Sequence, residues 1–181
     1  NKKFHTIDAL PESLALFPLS GALLLPAGEL PLNIFEPRYV AMIDAALMTP
    51  HRLIGWIQPR HADGMGPIVG DGGGASPSSD LYSVGCAGRI NSFHETDDGR
   101  YIITLAGVCR FRIKTEQPQQ AGFRRATVDY TDFAGDFSPS THPPMDRVKL
   151  FALLKSYFHV EGLMCNWENI KKASDDTLVT V

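Results

Sequence analysis

Leu30-Pro31-Leu32-Asn33-Ile34-Phe35-Glu36-Pro37-Arg38-Tyr39 reads as a strand running directly into a helix. Leu30, Leu32 and Ile34 alternate with period two, as in a half-buried strand. Pro37 falls where a first helical residue belongs, its φ preset and no hydrogen bond lost. Tyr39, Met42, Ile43, Ala46 and Leu47 then follow at i, i+3, i+4, i+7 and i+8, one apolar helical stripe. Thr49-Pro50 ends it, so the spacing predicts a helix over 37–48.

Working outward, the first half of the chain reads as strands. Leu14-Ala15-Leu16-Phe17-Pro18 is an apolar run closed by Pro. Ala22-Leu23-Leu24-Leu25-Pro26 reads as a second, with a turn at Ala27-Gly28, and Leu53-Ile54-Gly55-Trp56-Ile57 as a short buried one. Residues 60–79 contain Gly64, Gly66, Gly70, Gly72, Gly73 and Gly74, then Ser76-Pro77-Ser78-Ser79. Such a composition buries too little apolar surface to fix one conformation and predicts a long mobile loop.

The strongest strand pair follows. Tyr101, Ile103, Leu105, Gly107, Cys109, Phe111 and Ile113 form a core-facing set, and Thr96-Asp97-Asp98-Gly99 supplies the hairpin turn. That turn sets Val84, Cys86, Gly88 and Ile90 opposite Phe111, Cys109, Gly107 and Leu105. Gly88 facing Gly107 points to a segment crossing closely, or to a bulge. Ala126, Val128 and Tyr130 mark one more strand.

Ser138-Pro139-Ser140-Thr141-His142-Pro143-Pro144 reads as a linker. It divides a β unit, 1–135, from a helical unit, 145–181. In the second unit helices are expected over Asp146 to Glu161, Trp167 to Lys172 and Thr177 to Val181.

With 181 residues the chain buries enough surface to need no metal or disulfide staple. Net charge of −3 and a pI near 6.1 argue against nucleic-acid binding by a basic face. No run of about 18 apolar residues offers a membrane span. Asn1-Lys2-Lys3-Phe4-His5 has no apolar core behind it and does not read as a secretory signal. The three widely spaced cysteines, Cys86, Cys109 and Cys165, fit a reducing, cytoplasmic setting. The chain lacks an initiator Met, so its numbering is expected to begin inside the gene product or in a tag, and it ends on the apolar Leu178-Val179-Thr180-Val181 with no stop signal.

No catalytic, metal or cofactor motif is present. A P-loop needs a Lys to reach the phosphates, and the segment 64–74 has none. The six histidines are scattered, with no H-E-x-x-H and no C-x-x-C. Cys86 and Cys109 read as buried small hydrophobes, with a redox pair as the sharper alternative. Asp97-Asp98 reads as a solvated turn pair rather than a general acid–base pair.

Three blocks resemble the N-terminal domain of ATP-dependent Lon proteases and the stand-alone bacterial proteins made of that domain. They are Leu16-Phe17-Pro18-Leu19, the stretch Leu30 to Tyr39, and the hairpin Val84–Ile90, Asp98–Tyr101 and Leu105–Ile113. The resemblance runs from about residue 13 to the end. It implies an α+β fold: a PUA-like β pseudo-barrel followed by a small helical bundle. It also implies a domain that holds unfolded or degron-bearing polypeptide, and a native chain continuing past Val181.

Lon's ATPase and Ser–Lys protease motifs are absent from this chain. The expected function is therefore a non-catalytic module that binds polypeptide or a partner protein. The corner would contribute Phe35, Glu36, Arg38 and Tyr39 to a peptide groove, with Trp56 beside them. Their structural reading is that Glu36 caps the helix, Arg38 pairs with a carboxylate and Tyr39 packs under the barrel. One alternative is a small-molecule binder or enzyme with a site assembled only in space. Another is RNA binding through Arg110, Arg112, Arg124 and Arg125, with Lys114, by fold analogy.

Overall fold

The computed structural model describes residues 4–60, 80–138, 146–165, 167–172, 175 and 178. It separates into two compact units, Asn1–Ser138 and Pro139–Val181. The expected loop at 60–79, most of the linker and the helix at Thr177 to Val181 lie almost wholly outside the described residues.

The first unit contains β1 (Ser13–Pro18), β2 (Glu29–Ile34), α1 (Pro37–Leu47), β3 (Leu53–Ile57), β4 (Val84–Glu95), β5 (Tyr101–Gln120) and β6 (Phe123–Asp129). The six strands form one mixed sheet in the order β2-β5-β4-β3-β1-β6, and β6 also pairs with β5. That last pairing closes five strands into a ring and leaves β2 as a flap on β5. All pairings are antiparallel except β1 with β3.

β2 runs into α1 as the opening stretch predicts. Pro37 is the first helical residue, and the Glu36 carbonyl accepts from the Tyr39 and Val40 amides at 2.8 and 3.0 Å. Tyr39, Met42, Ile43 and Ala46 are buried along the expected stripe. They join Phe17, Ile54, Trp56, Ile103 and Leu105 in one core cluster. A second cluster gathers Leu14, Leu16, Leu53, Ile57, Cys109, Phe111 and Val128. β3 feeds both, Ile54 and Trp56 one way, Leu53 and Ile57 the other. A strand covered on both faces is apolar throughout, and β3 is.

Two sequence expectations are corrected here. Ala22–Pro26 is not a strand but an irregular segment that crosses β5 and enters a turn at Pro26. It ties to β5 at one point, where Ala27 donates to the Gly107 carbonyl at 3.0 Å and Gly107 donates to the Gly28 carbonyl at 2.8 Å. The hairpin register is also shifted by one at its far end. Gly88 faces Gly107 and Ile90 faces Leu105, but Val108 is extra on β5, so Cys86 faces Arg110 and Ala87 faces Cys109. A one-residue slip turns side chains to the other face. Cys86 therefore joins the first cluster and Cys109 the second.

The second unit contains α2 (Arg147–Val160) and α3 (Trp167–Lys172). Asp146 caps α2, its carboxylate accepting from the Lys149 amide at 3.0 Å. No helix among the described residues is long and apolar enough to cross a membrane.

Candidate functional site

The corner after β2 brings Glu36, Arg38 and Tyr39 together. Glu36 occupies the cap position of α1, but its side chain makes no cap hydrogen bond. The carboxylate instead meets Arg38 at 2.7 Å, which corrects the expected capping role. The Arg38 guanidinium stands 4.5 Å from the centre of the Tyr39 ring. Tyr39 itself is buried, stacked at a tilt on Phe17 at 4.4 Å. Burial pushes its hydroxyl up to about 12, with Arg38 opposing. Phe35 is exposed.

Trp56 lies apart from that corner, linked to it through Phe17, which meets the Trp56 ring edge-on at 5.6 Å. It is 2% exposed, and its indole Nε1 has no hydrogen-bond partner among the described residues. Trp56 lines a groove with Leu23, Leu24, Leu25, Gly85 and Cys86, and Ile57, Gln58, Val84 and Arg110 complete it. The crossing segment forms one wall and β4 the other. Leu23 is 60% exposed and Val84 36%.

Small side chains set the groove's shape. A Cβ on Gly107 would overlap the Leu25 carbonyl oxygen, and one on Gly85 would overlap the Trp56 carbonyl oxygen. Glycine at both places lets the backbones close. Gln58 donates to the Ala22 carbonyl at 2.9 Å and so fixes the crossing segment from the other side.

The groove holds about 150 Å³. A hollow near the end of α1, lined by Ser13, Ala46, Thr49, His51, Phe123 and Arg125 among others, holds about 70 Å³. Both are below the roughly 300–1,000 Å³ of small-molecule sites. The hollow's hydroxyls are engaged, Ser13 with Gln117 at 3.1 Å and Thr49 with the Ala46 carbonyl at 2.7 Å.

The basic strip is threaded with carboxylates. Arg110 meets Asp136 at 2.6 Å, Arg112 meets Asp132 at 3.2 Å, and Lys114 meets Asp129 at 3.2 Å. Arg124 meets Glu116 at 2.5 Å, and Arg125 donates to Ser13 at 3.4 Å. Burial raises the Asp136 carboxyl, but the hydrogen bonds and charge of Arg110 outweigh it and hold it below the usual carboxylate range. The Thr131 hydroxyl and amide, then Lys114, pull Asp129 down to about 2.

Burial pushes the Cys86 and Cys109 thiols up to about 12. On opposite faces of the β4–β5 ladder, the two do not form the facing pair that the sequence register suggests. Among the described residues no three His, Cys, Asp or Glu converge to hold a metal.

Nothing in the sequence pattern alone marks Leu23 and Leu25 as groove walls, since Ala22–Pro26 also reads as a strand. The usable signal is the facing pair Gly88 and Gly107, which leaves room for a crossing segment.

A family model of the ATP-dependent protease La (Lon) substrate-binding domain matches residues 13–179. The chain belongs to the Lon substrate-binding domain family. "Lon protease 2" of Myxococcus xanthus is 30% identical over 122 residues, which is 67% of this chain and 13% of that protein. This chain thus spans about an eighth of that relative's length. The Lon N-terminal domain protein of Xanthomonas campestris superposes with a TM-score of 0.50 at 24% identity, covering 82% of this chain and 73% of that one. The N-terminal domain of a Mycobacterium avium complex Lon protease gives 0.53 at 14% identity, covering 90% and 76%. Both likenesses show the α+β fold. The family's substrate-binding domain is a recognition module, and no catalytic domain of the protease lies within this chain.

Proposed function

We propose that this chain is a non-catalytic polypeptide-binding module and that the Leu23–Trp56–Val84 groove is where it holds its clients. The carrying observation is that Leu23 and Val84 stand exposed beside a depression lined almost wholly by apolar side chains, which sets them apart from exposed apolar residues such as Met48, Phe93 and Ile102 that line no such depression. Exposed apolar surface next to a preformed depression is the usual mark of a protein-binding site. Family membership supports polypeptide as the class of ligand. A client could be an unfolded chain or a partner protein presenting a flexible segment. Phe35, Glu36 and Arg38 would form a second contact at the α1 corner, with Tyr39 beneath them as support.

The test is fluorescence anisotropy with a permanently unfolded, labelled model protein and its folded form as control. Binding of the unfolded form only is expected. Leu23→Asp and Val84→Asp should each weaken it about tenfold or more, because a carboxylate would be forced into apolar surroundings. Absence of binding by the unaltered protein would overturn the proposal.

A further inference from the structure

Arg110 lies where the outer edge of β5 has no strand beside it. β2 pairs with residues 101–106 of β5, and β6 takes over only at Arg112. Backbone groups on such an edge must find other partners. Those of Gly107 find Ala27 and Gly28. The Arg110 amide finds Asp136, whose carboxylate accepts from it at 2.8 Å. The same carboxylate accepts from Arg110 Nε at 3.1 Å and from Nη2 at 2.6 Å, and the Asp136 side chain is only 7% exposed. A carboxylate thus stands in for a neighbouring strand.

Asp136 belongs to Thr131–Phe137, a short 3-10 segment packed against β5. Its Phe133 carbonyl accepts from the Cys109 thiol at 3.5 Å. Away from Asp136 the segment is lightly held. Its helical geometry breaks at Phe133, no side chain caps its start, and none of its residues is fully buried. The Asp132–Arg112 pair is exposed on both sides, and such pairs contribute little. Its near end is anchored. Tyr130 is buried and donates to the Pro11 carbonyl at 3.0 Å, and the Thr131 amide and hydroxyl donate to Asp129 at 2.9 and 2.7 Å. We infer that residues 131–137 form a strap that opens about Tyr130 while the barrel stays folded, and that Asp136 is its latch. Segments with few buried contacts open before the core they lie on. Opening frees the Arg110 amide and uncovers Cys109. It also adds seven residues to the chain that leads to α2, at most about 25 Å when extended. The latch therefore sets how much chain separates the barrel from the second unit.

The two barrel thiols report on the opening. Cys109 is 0% exposed and Cys86 2%, and Cys86 also lines the groove beside Leu23. Static burial alone therefore makes Cys86 the first of the two to react, whereas a strap makes it Cys109. The full chain is pulsed with iodoacetamide at pH 8 without denaturant, and the sites are separated by peptide mapping. After Cys165, Cys109 should be alkylated about fivefold faster than Cys86 or more, since local opening populates its reactive form more often than global unfolding does. Asp136→Asn keeps the shape and removes the charge, so the Cys109 rate should rise about tenfold or more while that of Cys86 stays. Asp132→Asn, at an exposed pair, should raise it less than about fivefold.

One common rate for Cys86 and Cys109, or Cys86 ahead of Cys109, would overturn the strap, because Cys109 would then be uncovered only when the whole barrel opens. If Asp136→Asn speeds Cys109 no more than Asp132→Asn does, the latch falls. Should Asp136→Asn fail to fold, the two rates in the unaltered protein decide: Cys109 ahead upholds the strap, and any other order overturns it.

Discussion

Gly107 passes directly beneath the Leu25 carbonyl, with no room for a Cβ between them. The Gly107 backbone has no positive φ, so the obstruction is the oxygen alone. Gly107→Ala should lower stability by about 1–3 kcal/mol and displace the crossing segment. Gly88→Ala meets only the end of the Leu24 side chain, which can move, and should cost less. Urea midpoints of the two variants check the order, and peptide binding should fall with the first more than the second.

Acid should destabilise the barrel unit in a defined window. Asp129 and Asp136 are both more acidic in the folded chain than the usual 3.8. A carboxyl of that kind adds stability that is fully present above its unfolded value, near 4, and is lost as pH falls through its folded value. For Asp129 the loss runs toward pH 2. Denaturation midpoints should hold from pH 7 to about 4 and then drop. The Asp129→Asn/Asp136→Asn pair should start lower and fall less steeply.

The thiols should sort themselves by burial. Cys86 and Cys109 are buried with thiols raised to about 12, whereas Cys165 is half-buried. Since the thiolate is the reacting form, iodoacetamide at pH 8 should label Cys165 first in the native chain. All three should react in denaturant. Peptide mapping after a short pulse distinguishes the sites, and early labelling of Cys86 or Cys109 would contradict the packing described.

Single-stranded RNA should not be retained at physiological salt. Arg110, Arg112, Lys114 and Arg124 each share their charge with a carboxylate, so few counterions would be released on binding. A filter-binding titration against salt checks this. A steep salt slope that Arg112→Glu abolishes would revive the RNA alternative.

Elements with a strong local period were legible in the sequence. The stripe Tyr39, Met42, Ile43, Ala46 gave α1 with its proline, and the Asp98-Gly99 turn gave the β4–β5 hairpin, with Gly99 at φ +78°. What was hidden depends on one inserted residue or one distant neighbour. Val108 leaves no mark of its own, yet it decides which face Cys109 takes. The leucines at 23–25 look like a strand because strand and crossing segment are equally apolar. Only a partner some 80 residues away, Gly107, distinguishes them, as a place where a backbone must approach. For the same reason Trp56 could be named from its strand, but its unpartnered nitrogen could not.

The ring of strands closes through β1, which lies between β3 and β6. Its partners are residues 55–57 on one side and 124–127 on the other. During synthesis β1 emerges ahead of the other strands of this sheet, yet its seat is completed last. Leu14 and Leu16 must wait for the part of their cover that Ala126 and Val128 supply until more than a hundred further residues have left the ribosome. A client-binding module would itself spend that interval as a client, in need of a chaperone for its own clasp.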